Sequence, residues 1–153
     1  MLLQRLNTNI FKNPEGVMEN IVNVTEHLKK KIAANGGDPE RECLPVYPAK
    51  DGKPYYIDSE GKFWRCYNFI FNAHSCQSVE NAEVFFNAAK AFGKFQQMLA
   101  DYPAEKLSEP IANFHNTHWR FGNLMKAVAA DKCGRLASVL PEVEFAKARE
   151  EFC

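Results

Sequence analysis

The segment LLQRLNTNIFKNPEGVMENI, residues 2–21, predicts a short strand, a polar turn and the start of a long helix, and so sets the expected arrangement of the first part of the chain. Residues 2–6 form a mainly apolar run that ends at the turn-forming cluster of residues 7–9. Asn13 is a suitable N-cap, and Pro14 fits the first helical position. A strand this short is not stable alone, so it must pair with strands from elsewhere in the chain.

The helix that begins after Asn13 is predicted to run for about six turns, to the glycine pair at residues 36–37. Glu15 lies in its first turn, where a negative charge complements the helix dipole. Apolar residues recur at helical spacing along one side, at Val17, Ile21, Val24, Leu28 and Ile32. This side is therefore expected to pack against the sheet.

Residues 43–71 predict the rest of the sheet, because they are rich in β-branched and aromatic residues separated by short turn signals. The Asp51-Gly52 pair is a strong hairpin signal, since both residues tolerate the backbone of tight turns. We expect three antiparallel strands here, so that the order is strand, helix and three strands.

The chain after residue 71 is predicted to be helical. Ser78 and Glu80 begin a helix whose apolar stripe is expected to face the core; its members are Phe85, Ala88, Phe92, Phe95 and Leu99. Further helices are expected from Asn116 or Thr117 and from Pro141. The fold class is therefore α+β: a small antiparallel sheet with one long helix, followed by an all-helical segment.

The overall composition excludes several classes of partner. The chain has 153 residues, with 19 Lys and Arg against 19 Asp and Glu, so no net charge attracts nucleic acid or an anionic membrane. No apolar run reaches the roughly 18 residues that a membrane span needs. The five cysteines are odd in number and form no C-x-x-C pair, which favours reduced thiols in a cytoplasmic protein.

Arg5 is unusual because it is a cation inside a short strand. Side chains alternate along a strand, so Arg5 shares a face with Leu3 and projects opposite the Leu2 and Leu6 pair. In kinase-like folds a strand cation contacts the phosphates of ATP and is held by a carboxylate of the following helix. The alternative is an exposed arginine that protects an edge strand from pairing with another chain.

Other reactive residues lack the pattern that their chemistry requires. His115 and His118 have no evident third ligand for a metal, and they are expected to flank the start of a helix. Cys76 with His74 or His115 could form a nucleophilic pair, but no recognisable motif surrounds it. The sequence contains no G-x-G-x-x-G, Walker or D-F-G motif.

Four segments together resemble the N-acetylhexosamine 1-kinases of the aminoglycoside-phosphotransferase-like superfamily. They are LLQRLNTNIFKNPEGVMENIVNVT, FWRCYNFI, AFGKFQQMLADYPAEKLSEPIANFHNTHWRF, and AADKCGR followed by PEVEF. Some relatives carry a mucin-desulfating label. The sulfatase motif C-x-P-x-R is not complete here, since Tyr47 stands where it requires arginine.

The resemblance implies a two-lobed kinase that uses ATP and magnesium to phosphorylate the anomeric hydroxyl of an N-acetylhexosamine. It implies a partial nucleotide-binding lobe at residues 1–71, a hinge-like linker at 72–77 and the start of a helical lobe at 78–153. A glycine-rich hairpin is expected before Met1, and the catalytic and magnesium-binding segments after Cys153. The chain is thus interpreted as an internal fragment that is inactive alone and binds ATP weakly.

The resemblance also implies nucleotide-binding residues. Arg5 matches the phosphate-contacting cation, Glu19 is its expected helix partner with Glu15 as a competitor, and Asn68, Phe69 and Ile70 are the expected adenine-binding hinge. No catalytic or metal-binding residue is predicted within the chain.

Two alternatives stay open from the sequence. The chain could be a non-catalytic ligand-binding module, or it could form a homodimer through the free edge of its sheet. The acceptor of the kinase could also be an amino alcohol, homoserine or an aminoglycoside.

Overall fold

A computed structural model describes residues 1–73, 75–79 and 81–152 and shows an α+β protein, as the sequence predicts. The chain forms two compact units, Met1–Pro110 and Ile111–Cys153. The predicted nucleotide-binding lobe at residues 1–71 and helical lobe at 78–153, with a linker at 72–77, stay a prediction. Three residues named above lie outside the described residues: His74, Glu80 and Cys153.

The first unit contains a small antiparallel sheet built around one central strand. Its strands are β1 (Leu2–Arg5), β2 (Val46–Tyr47), β3 (Tyr56–Ile57) and β4 (Phe63–Tyr67). The other three strands all pair antiparallel with β4, so the predicted antiparallel pairing is confirmed. β1 lies along one edge of β4, while β2 and β3 follow one another along the other edge.

The turn predicted at Asp51-Gly52 is present, although it does not join two paired strands. Gly52 has a φ of 84°, and the Ala49 N–H donates to the Lys53 carbonyl at 2.8 Å. The strands on either side of this turn are only two residues long, and each pairs with β4. The turn therefore brings the chain from one half of β4 to the other.

The long helix α1 (Pro14–Ala34) confirms the helix predicted from its cap and its spacing. The Asn13 side chain accepts a hydrogen bond from the Gly16 N–H at 2.9 Å, which satisfies one of the free donors of the first turn. After the helix, Gly36 adopts a φ of 72°, a left-handed conformation that glycine reaches at low cost.

α1 packs on one face of the sheet. Leu6, Val17 and Met18 form a buried cluster, against which the partly buried Val46 and Phe63 also pack. Met18 is fully buried, with an exposed fraction of 0%. Because Leu6 belongs to this cluster, the face of β1 that carries Leu6 is the face that α1 covers.

A second cluster lies at the other end of α1. Leu28 and Ile32 pack with Cys43, which follows the short helix α2 (Pro39–Glu42). Met98 and Leu99, at the end of α3 (Ala82–Leu99), pack against this cluster. The end of α3 is therefore fixed to α1 by apolar contact.

The predicted burial of the α3 stripe is wrong for most of its length. Phe85 is 61% exposed, Phe92 72% and Phe95 42%, and α3 contains no buried residue. The helical period predicts which residues share a face, but a neighbouring element is needed to bury them. The elements described around α3 cover only its C-terminal end.

The second unit contains α4 (Thr117–Ala130) and α5 (Leu140–Lys147). Asn116 caps α4, since its side chain accepts from the Trp119 N–H at 2.9 Å, and this confirms the predicted start. Pro141 lies in the first turn of α5, as predicted. Short 3-10 helices occur at Ala104–Lys106 in the first unit, and at Leu136–Val139 and Glu150–Phe152 in the second.

Candidate functional site

Arg5 is the last residue of β1, and its side chain lies on the sheet face opposite α1. Leu6 packs in the cluster under α1, and successive side chains of a strand point to opposite faces. Arg5 pairs with Trp64 of β4, so these two side chains share the face opposite α1. Arg5 is exposed and is therefore accessible to a ligand from solvent.

Arg5 and Lys62 line one cavity of about 320 Å³ at the end of β1. Its remaining walls come from residues 6–9, and none of the described acidic residues lines it. The loop is fixed by an Asx turn, in which the Asn7 side chain accepts from the Asn9 N–H at 3.0 Å. Two cations in a polar cavity without a carboxylate favour the binding of an anion.

The structure does not bring the predicted partner Glu19 to Arg5. Glu19 belongs to α1, which covers the opposite face of the sheet, and neither an ion pair nor a hydrogen bond joins the two residues. The competing Glu15 accepts a hydrogen bond from the Tyr55 hydroxyl at 2.8 Å. This bond raises the pKa of Tyr55. Neither Glu19 nor Glu15 of α1 therefore positions the Arg5 side chain.

The predicted hinge residues Asn68, Phe69 and Ile70 follow β4 and are close together. The Asn68 N–H donates to the Pro45 carbonyl at 3.2 Å, and its side-chain amide donates to the Glu40 carbonyl at 2.8 Å. Phe69 and Ile70 are exposed and line a small cavity of about 210 Å³. Both donor groups of Asn68 are thus already used within the protein.

The hinge residues and Arg5 lie at different positions along β4. Arg5 is opposite Trp64, and Asn68 is four residues further on, which corresponds to about 13 Å along a strand. The five predicted nucleotide-binding residues therefore form separate groups. Arg5 lies on one sheet face, Glu19 on the helix that covers the other, and the three hinge residues beyond the end of β4.

An aromatic groove of about 530 Å³, which the sequence analysis missed, lies on the same sheet face as Arg5. Leu3 and Tyr47 are opposite Cys66, and Tyr56 is opposite Trp64, so these side chains share one face. All five line the groove, together with the turn that carries residues 48–51. We call it the sheet groove.

The orientation of Trp64 in the sheet groove is fixed by Asp58. The indole N–H donates to an Asp58 carboxylate oxygen at 2.7 Å. The other Asp58 oxygen accepts the backbone N–H groups of Glu60 and Lys62, each at 2.9 Å. These hydrogen bonds hold the pKa of Asp58 below its ordinary value, and the bond from Trp64 has the largest effect. Trp64 is thus a preorganised aromatic surface.

A second polar group lies on the α1 side of the sheet and was also not predicted. Arg65 donates twice to the side-chain oxygen of Gln4, from Nε at 3.0 Å and from Nη2 at 2.7 Å. Its guanidinium lies over the Tyr67 ring, with its carbon 5.4 Å from the centroid. These contacts link the Gln4 side chain of β1 to the Arg65 side chain of β4.

The sequence contained only part of the signal for the sheet groove. Trp64 and Cys66 alternate with Phe63 and Arg65 in β4, which predicts that the first two share a face. The contribution of Leu3 and Tyr47 depends on the strand register, which pairs both residues with Cys66 from other segments of the chain. A reading of local patterns does not supply that register.

The histidine motif of residues 113–121 forms the start of α4. His115 packs edge-on against Phe114, with ring centroids 4.7 Å apart. Over residues 1–73, 75–79 and 81–152, no three His, Cys, Asp or Glu side chains are grouped to hold a metal ion. Across the same ranges, no helix is both long and apolar enough to cross a membrane. No protein-family model matches the chain.

Proposed function

We propose that this chain supplies the phosphate-binding side of an ATP-dependent small-molecule kinase. The observation that carries the proposal is the cavity in which Arg5 and Lys62 face solvent, with no carboxylate of the described residues among its walls. A guanidinium donates two parallel N–H groups to phosphate oxygens, and a lysine adds a second positive charge. The order of β1, α1 and three antiparallel strands supports the same proposal through the resemblance described above.

The proposed acceptor is the anomeric hydroxyl of an N-acetylhexosamine, with amino alcohols, homoserine and aminoglycosides as the alternatives. The role proposed for the 153 residues is to hold phosphate, at the cavity of Arg5 and Lys62. The acceptor is tested on the protein expressed from its complete reading frame. Phosphate transfer from Mg-ATP is measured for each acceptor class, and transfer to none of them contradicts the proposal.

Phosphate binding is tested on the 153-residue chain by NMR, which detects weak complexes. Inorganic triphosphate is titrated at low salt into the ¹⁵N-labelled chain. We expect the amide resonances of Arg5, residues 7–9 and Lys62 to shift together. Replacing Arg5 by Ala is expected to weaken binding by about 1–3 kcal/mol, the scale for losing hydrogen bonds to a charged group.

A matched control separates this site from general charge attraction. Lys30 is an exposed cation of α1 and does not line the cavity. The Lys30→Ala chain has the same net charge as the Arg5→Ala chain, but it should retain the affinity of the unmodified protein. Equal weakening in both variants, or no shift at residues 5–9 in the unmodified chain, rejects the phosphate site.

We also propose self-association through β1 as a second candidate function. Within the part of the chain that the structure describes, β1 pairs only with β4, so one edge of β1 is unpaired. The Leu6 N–H donates to the Phe63 carbonyl, so by alternation the Leu3 and Arg5 N–H groups point away from β4. Such an edge can pair with the same strand of a second copy.

Sedimentation velocity tests this second function over a range of concentrations. The Leu3→Pro variant removes one outward N–H and leaves the bonds to β4 intact, because proline is tolerated at an edge. We expect a dimer in the unmodified chain and a monomer in the variant. A dimer that survives in Leu3→Pro, or a monomer at all concentrations, argues against pairing through β1.

A further inference from the structure

The cationic cavity and the sheet groove lie next to each other on one face. Arg5 of the cavity is two residues from Leu3 of the groove, about 6.6 Å along the strand. Arg5 is also directly opposite Trp64. The sheet face opposite α1 thus offers an aromatic surface and a pair of cations within the length of one small ligand.

The sheet groove has the characteristics of a site for a flat ring. Its volume of about 530 Å³ lies in the range of small-molecule sites, which are mainly apolar with a few polar groups. Trp64 is held in one orientation by Asp58, so its ring needs no reordering when a ligand stacks on it. Among the described residues, the hydroxyls of Tyr47 and Tyr56 have no hydrogen-bond partner, so they can bond the edge of a ring.

The predicted hinge is less suited to this role. Both donor groups of Asn68 already bond backbone carbonyls, and the cavity beside Phe69 and Ile70 is about 210 Å³, smaller than the usual range of ligand sites. Arg41, which also lines that cavity, donates to the Phe71 carbonyl at 2.7 Å. Asn68 is therefore occupied with contacts to its own chain, and the cavity beside Phe69 and Ile70 is small.

We propose that the sheet groove binds the base of the nucleotide whose phosphates are held by Arg5 and Lys62. This inference rests on the proposed function, because it assumes that an anion of this kind binds at Arg5. The base stacks on Trp64 between Leu3 and Tyr56, and the phosphates extend toward the end of β1. The ligand thus lies across the sheet face that α1 leaves open.

The test measures the fluorescence of Trp64 in a Trp119→Phe chain, in which Trp64 is the remaining tryptophan. Adenosine, inorganic triphosphate and ATP are titrated separately. We expect adenosine and ATP to change the emission of Trp64, because both carry the base. In the NMR experiment, triphosphate and ATP should both shift the amides of Arg5 and Lys62.

Two variants measure the contribution of stacking. Replacing Trp64 by Leu should weaken ATP binding by about 5- to 150-fold while leaving the affinity for triphosphate unchanged, as expected for the loss of one base stack. Tyr56→Leu should act in the same direction. Because Tyr56 is 58% exposed, we expect this variant to fold, and it provides the test if Trp64→Leu does not fold.

The outcomes separate the two proposals. If triphosphate shifts Arg5 and Lys62 while ATP shifts residues 68–70 and leaves Trp64 unchanged, the base binds at the hinge and this inference is overturned. If neither triphosphate nor ATP shifts Arg5, the proposed function itself fails. If ATP binds equally to the unmodified chain and to Tyr56→Leu and Trp64→Leu, the groove does not bind the base.

Discussion

Arg5 lies directly opposite Trp64 in the antiparallel pair of β1 and β4, on the sheet face that α1 does not cover. This pairing places a cation on the same sheet face as an aromatic ring whose orientation is fixed by Asp58. It also separates Arg5 from the carboxylates of α1, one of which was its expected partner. The nucleotide site proposed here therefore depends on the sheet register more than on the helix.

Replacing Met18 by Ala should strongly destabilise the first unit. Met18 is fully buried between α1 and the sheet, so its removal leaves a cavity among Leu6, Val17 and Phe63. The free energy of unfolding should fall by about 2–5 kcal/mol. Urea denaturation followed by circular dichroism measures this change.

Replacing Phe92 by Ala is the matched control for core burial. Phe92 is 72% exposed on α3, so its removal should change the free energy of unfolding by no more than about 0.5 kcal/mol. Because alanine also has a high helix propensity, the variant should keep α3 intact. A loss comparable to that of Met18→Ala would mean that the exposed stripe is buried in solution.

Removing the cap of α1 should have a smaller effect than opening the core. Asn13→Ala loses the hydrogen bond from the Gly16 N–H, which should cost about 1 kcal/mol. Asn23 is an exposed residue of the same helix and caps nothing, so Asn23→Ala should not reduce stability. Chemical denaturation compares the two variants, and an equal effect in both would exclude a capping contribution.

The hydrogen bond between Asp58 and Trp64 should make the Tm of the chain depend on pH in the acid range. The pKa of Asp58 is lowered in the folded chain, so its contribution is present above the ordinary value of 3.8 and is lost as the pH falls through the folded value. We expect the difference in Tm between the unmodified chain and Asp58→Asn to be constant above about pH 5 and to shrink below pH 3.8. A difference that is independent of pH would contradict this link.

The cysteines should differ in their reaction with a thiol reagent. Cys43 is 7% exposed, and burial raises the pKa of its thiol, whereas Cys76 and Cys133 are exposed. In a chain with Cys66 and Cys153 replaced by Ser, two thiols should react rapidly and one slowly. Denaturant should abolish the difference, since reaction of Cys43 requires local opening. Three equal rates in the folded chain would show that Cys43 is accessible.

Much of the local structure could be predicted, because its signals lie within a few residues of one another. The cap at Asn13, the turn at Gly52 and the start of α4 after Asn116 all follow from local side-chain and backbone preferences. The candidate site was predicted less completely. Arg5 was identified from its position in a strand, but its neighbours Lys62 and Trp64 come from a distant part of the chain.

Which residues share a strand or helix face follows from the sequence alone, since the periods of 2 and 3.6 residues are properties of the local backbone. The strand period places Arg5 and Leu6 on opposite faces, and the helical period places Phe85, Phe92 and Phe95 of α3 on one face. What covers each face depends on contacts between distant segments of the chain. α1 packs on the Leu6 side, which leaves Arg5 beside Trp64, and the α3 stripe stays exposed where no described element packs against it. Burial requires a partner surface, and register and packing between distant segments provide it.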